Sequence, residues 1–91
     1  MTARPAVDAP VTGRFTHRDA RDRFGDPDDW EGSVNNPVTQ ESHGVRWNER
    51  WIYFLPDGER REIYWHRYAC RAVLRIAADG AATPELELPA A

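Results

Sequence analysis

"VRWNERWIYFLPDGERREIYWHRY", residues 45–68, holds seven of the chain's ten aromatic residues, placed on both sides of Pro56-Asp57-Gly58. Aromatic and β-branched residues flanking such a turn mark a β-hairpin, because rigid side chains pack well on a pleated surface. The turn fixes which side chains meet. A type I turn with Gly58 as a left-handed bulge residue pairs Leu55 with Glu59. Trp51 then faces Ile63, Glu49 faces Trp65 and Asn48 faces His66. A two-residue Asp57-Gly58 turn pairs Leu55 with Arg60 instead, and sets Glu49 opposite His66. Pro56 pre-sets the backbone of the leading turn position and favours the first register.

Toward the C-terminus, "YACRAVLRIAADG" (68–80) can be read in two ways. As a strand, Tyr64, His66, Tyr68, Cys70, Ala72, Leu74 and Ile76 share an uncharged face, with Arg61, Arg67, Arg71 and Arg75 opposite. As a helix over 66–78 packed on the hairpin, Tyr68, Ala69, Ala72, Val73 and Ile76 continue an apolar stripe from Trp65, with Arg67, Arg71 and Arg75 opposite. The strand alternation spans more positions. Asp79-Gly80 then turns the chain into a third strand.

Toward the N-terminus, "FTHRDARDRFG" (15–25) predicts a short helix: Thr16 caps it, Asp19 completes a capping box and Gly25 stops it. "DPDDWEG" (26–32) offers a second, one-turn helix that would bury Trp30. Residues 33–44 read as irregular. The expected fold is α+β and β-dominated: a long antiparallel meander, strands about 44–55, 60–76 and 82–88, with one or two short N-terminal helices. Residues 14–88 form one domain, with a disordered tail over 1–13 and a short tail over 89–91.

A chain of 91 residues buries only about 60–65% of its unfolded surface, so its core is small. The net charge of −3 argues against a general nucleic-acid binder. All twelve basic residues are arginine, which fits a GC-rich coding bias. The single cysteine excludes an internal disulfide and a multi-cysteine zinc site, and fits a reducing cytoplasm. No apolar run approaches the roughly 20 residues that span a bilayer, and the first residues lack the apolar stretch of a secretory signal.

Two groups of residues carry candidate chemistry. His66 with Tyr64, Tyr68 and Glu49 could supply acid–base catalysis, a carboxylate orienting the imidazole and tyrosines donating to an oxyanion. Cys70 on the same strand face lacks an orienting group and reads as structural. Arg46, Arg50, Arg67, Arg71 and Arg75, with Trp65 beneath them, could grip an anion or an acidic partner. No metal site or cofactor is expected. His17, His43 and His66 are scattered, and the acids at 26–31 put Trp30 and Glu31 where a calcium loop needs a ligand and glycine.

The hairpin is apolar on both faces, and a chain this short was expected to cover only one of them. The expected function is therefore a small, non-catalytic binding or accessory protein presenting an aromatic and arginine-rich sheet face to a protein partner or to itself, as a homodimer. The alternative is a small dimeric enzyme of cyclase or isomerase type with His66 in a sheet-lined pocket. Single-stranded nucleic-acid binding through stacked aromatics is a third reading, which the negative charge disfavours.

Overall fold

The computed structural model describes residues 15–86. The expected tails and the end of the third strand lie outside the described residues. Helix α1 (His17–Phe24) forms as the sequence dictates. Thr16 Oγ1 accepts from Asp19 N–H at 3.1 Å, Asp19 Oδ2 accepts from Thr16 N–H at 2.9 Å, and Gly25 ends the helix at φ 81°. The strands are β1 (Asp29–Gly32), β2 (Gln40–Ser42), β3 (Val45–Trp47), β4 (Glu49–Phe54), β5 (Arg60–His66), β6 (Ala69–Ile76) and β7 (Ala82–Pro84). They make a five-stranded antiparallel sheet in the order β1-β4-β5-β6-β7, and a separate two-stranded sheet, β2-β3. The fold is α+β and β-dominated, as expected.

The hairpin register is the first one. Glu49 pairs with Trp65 and Trp51 with Ile63, and Leu55 N–H donates to the Glu59 carbonyl at 2.9 Å. The turn itself is not type I. Asp57 as well as Gly58 is left-handed, at φ 64° and 76°, a conformation aspartate tolerates better than most residues.

Four expectations are corrected. Residues 26–32 make no helix. Asp29–Gly32 pairs with β4, which would otherwise present an open row of donors and acceptors, and Trp30 is exposed rather than buried. Gly32 permits this approach: at φ 73°, a Cβ there would stand 2.1 Å from the Asn48 carbonyl oxygen. The segment read as irregular contains β2. The strand expected over 44–55 is divided at Asn48, whose two sides serve different sheets.

The strand expected over 60–76 folds back on itself at Arg67-Tyr68, both left-handed (φ 51° and 73°), and the 66–78 helix does not form. A two-residue turn of this hand matches the twist of the flanking strands, so the pairing of β5 with β6 offsets the backbone cost of two non-glycine residues. Between β5 and β6 the register slips by one residue: Tyr64 pairs with Ala72, but Trp65 pairs with Cys70. Arg71 is the extra residue, and Cys70 therefore lies on the Trp65 face rather than with Tyr64.

The two sheet faces are both covered by the chain itself. One face, formed by Trp51, Tyr53, Ile63, Trp65 and Val73, packs against Ala20 of α1, Phe15 just before it, and Leu86. On the other face Tyr64, Leu74 and Ile76 pack against Trp47 and Val45 of β3. Trp47 lies on the second face, away from Trp51, because the chain turns at Asn48. That turn is held from four directions: Asn48 N–H donates to Trp65 O, its Nδ2 to Val34 O and Asn36 O, and its Oδ1 accepts from Arg67 N–H. The uncovered second face that the sequence implied is thus closed by β2-β3. Among the described residues no helix is long and apolar enough to cross a membrane.

Candidate functional site

A cleft of about 350 Å³ opens on the helix-covered face, lined by His17, Arg21, Trp30, Val34, Glu49, Trp51 and Tyr68. Its floor is polar but internally satisfied. His17 Nε2 lies 2.8 Å from Glu49 Oε1, and Trp51 Nε1–H donates to Glu49 Oε2 at 3.0 Å. A carboxylate only accepts hydrogen bonds, so Nε2 carries the imidazole proton. The imidazole stacks on Trp65 at 3.7 Å between centroids and meets the edge of Trp51 at 5.2 Å. The Arg21 guanidinium lies 4.9 Å above the Trp51 ring, its Nε donating to Asp26 Oδ1 at 3.2 Å.

The walls are different in kind. Trp30 is 54% and Tyr68 59% exposed. Each is fixed by backbone rather than by packing: Trp30 sits opposite Trp51 on the edge strand β1, and Tyr68 occupies the left-handed turn between β5 and β6. The Tyr68 hydroxyl reaches Asn35 Oδ1 at 3.3 Å.

The catalytic group read from the sequence is not assembled. Glu49 sits in the cleft with Tyr68, but its imidazole is His17. His66 follows Trp65 on β5, points to the opposite side, and bonds Thr39 Oγ1 at 3.1 Å. Tyr64 is fully buried on the second face and donates to Glu62 Oε1, and burial together with that bond pushes its phenol up. Cys70 is a half-buried free thiol, pushed up to about 12 by burial.

The arginine face is also divided. Arg50 is held between Glu31 and Glu62, over the Trp47 ring at 5.0 Å. Arg75 pairs with Glu59 at 2.8 Å on the α1 side of the sheet. Arg67 lies in the turn, and Trp65 is fully buried, so neither builds a platform with the others. Only Arg46 and Arg71 come together, at a polar depression of about 380 Å³ shared with Glu41.

Sequence reading missed His17, Arg21, Trp30 and Trp51 as site residues. One signal was present: His17, Ala20, Arg21 and Phe24 recur at helical spacing, which places His17 on the apolar stripe of α1. No family model matches the chain, and no curated protein or solved structure matches it.

Proposed function

We propose that this is a small, non-catalytic binding or accessory protein of the reducing cytoplasm, which engages a segment of a heterologous protein partner through the cleft between Trp30 and Tyr68. The carrying observation is the pair of exposed aromatic walls over a hydrogen-bonded floor. Aromatic residues are enriched where one protein grips another, and a rigid ring covers much area for little entropy. The left-handed turn adds support. An exposed tyrosine is costly at φ 73°, and a residue kept in such a conformation fits a role for its side chain.

A protein segment suits the cleft better than a small molecule. Ligand pockets typically enclose about 70–90% of a small ligand, whereas these walls are themselves half open. A second copy of the chain suits it less, because two copies meeting at the cleft would set Asp26 and Glu49 against the same carboxylates of the other.

The test is selection of displayed random peptides on the full chain, with counter-selection on a Trp30→Ala/Tyr68→Ala variant shown to be folded. Enrichment of peptides that require both rings is expected. Enrichment indifferent to both rings, or none, overturns the reading.

The His17–Glu49 pair favours a second reading, acid–base chemistry with His17 in the role the sequence assigned to His66. Its test is conversion of a cleft-bound ligand, followed by mass spectrometry. A His17→Gln variant that binds without converting would support it, and an unchanged ligand would end it.

A further inference from the structure

The chemistry of the cleft walls narrows what the partner brings. Trp30 and Tyr68 are each more than half exposed. Among the described residues no ring pairs with Trp30, and Tyr68 meets the His17 ring, T-shaped at 6.5 Å between centroids. Exposed indole and phenol faces carry the negative end of a quadrupole and attract a cation placed within about 6 Å. The cleft already holds one such group, for the Arg21 guanidinium lies over Trp51 at 4.9 Å. The charge around the walls has the same sense. Arg21, which lines the cleft, meets two carboxylates there, Asp26 through its Nε and Glu49 in the same lining. Asp29 and Glu31 alternate with Trp30 on β1 and project from the opposite face, where Glu31 pairs with Arg50.

Resting on the binding reading above, we propose that the slot between Trp30 and Tyr68 takes a guanidinium or ammonium group from a basic segment of the partner. The cation lies against the two rings, with Asp26 and Glu49 setting the surrounding potential. Arg21 is the resident competitor: it occupies the neighbouring Trp51 face and repels a second cation.

That competition separates this inference from its opposite. An anionic ligand would need Arg21, whereas a cationic one binds better without it. The experiment uses the full chain, followed by chemical shifts of the backbone amides around the cleft. The probes are the peptide Ac-Gly-Ser-Arg-Ser-Gly-amide and its twin with citrulline, the uncharged isostere, in place of arginine. At low ionic strength the arginine peptide is expected to bind at least five-fold more tightly than its twin, and added salt should narrow the gap. Arg21→Gln is expected to tighten the arginine peptide several-fold, and Trp30→Ala to abolish the difference between the twins. Equal affinity of the twins, no binding of the arginine peptide, or weaker binding in Arg21→Gln overturns the cation assignment. Peptides selected on the cleft that need both rings yet lack basic residues would overturn it while leaving the binding reading in place.

Discussion

His17 and Glu49, thirty-two residues apart, meet at 2.8 Å and join the first turn of α1 to the start of β4. Glu49 is 8% exposed, so the imidazole is its main link to anything outside the sheet, Trp51 being its partner within it. A double-mutant cycle with His17→Ala and Glu49→Gln is expected to give a coupling of about 1–2 kcal/mol. His17→Ala alone should cost about 1–3 kcal/mol, because it leaves a buried oxygen without its donor. Urea denaturation measures both. A coupling near zero would mean that α1 is held by its apolar side chains alone.

Replacing Arg67 and Tyr68 by Asn and Gly should raise stability and lower binding together. Left-handed backbone costs most residues about 1–2 kcal/mol each, and Asn-Gly suits a turn of this hand. A gain of about 1 kcal/mol is expected in thermal unfolding. Peptides selected on the wild-type cleft should bind the variant weakly, since one aromatic wall is gone. A variant that binds as well as wild type would remove Tyr68 from the site.

Glu62 is 2% exposed and joins Arg50, Arg60 and Tyr64 under the second sheet face. Burial by itself would raise its carboxyl. The hydrogen bonds from Tyr64 and Arg60 and the charge of Arg50 outweigh that and hold it below the usual carboxylate range. A carboxyl depressed on folding adds stability that is present above its unfolded value, about 4.3. That stability is lost as pH falls through the lower, folded value. Glu62→Gln is therefore expected to cost about 3 kcal/mol at neutral pH. The deficit should shrink below about pH 4, as the carboxyl of the unfolded chain takes up a proton before the folded one does. A deficit independent of pH between 3 and 7 would contradict the assignment.

Cys70 should be slow to react. Its thiol is pushed up to about 12 by burial, with the sulfur donating to Ala72 O at 3.8 Å. Only the thiolate attacks disulfide reagents. At about pH 8, a neutral thiol of this kind should label with a chromogenic disulfide far more slowly in the folded chain than in denaturant. Equal rates would show that the Cys70 side chain opens to solvent.

The parts of the fold that were legible in the sequence share one physical cause: each is decided within a few residues. The Thr16–Asp19 capping box, Gly25 as the helix stop and Gly80 as the turn before β7 are local geometry. So is the central hairpin, whose register follows from Pro56 and Gly58 even though Asp57 adopts an unexpected conformation.

The features misread from the sequence are those where a local preference is neutral and distant pairing decides. Nothing at Arg67-Tyr68 announces a turn, because neither residue is a turn former; the pairing of β6 with β5 imposes it. The slip at Arg71 moves Cys70 to the other face without a sequence mark. Asp29–Gly32 has the composition of a helix start and becomes a strand because β4 has a free edge.

The candidate site divides in the same way. The wealth of aromatic residues and the placement of His17 on the apolar stripe of a capped helix are encoded in the sequence, whereas the exposure of Trp30 is not. Which imidazole meets Glu49 was decided only by tertiary structure. Strand alternation turns His66 away from Glu49, and the docking of α1 brings His17 across the sheet in its place. The closing of the second face was decided there too, since Asn48 must bond across both sheets before β2-β3 can cover Tyr64. Short-range sterics and capping act through the chain's neighbours and can be read from it. Long-range pairing is set by whatever donors, edges and apolar faces the rest of the fold leaves open.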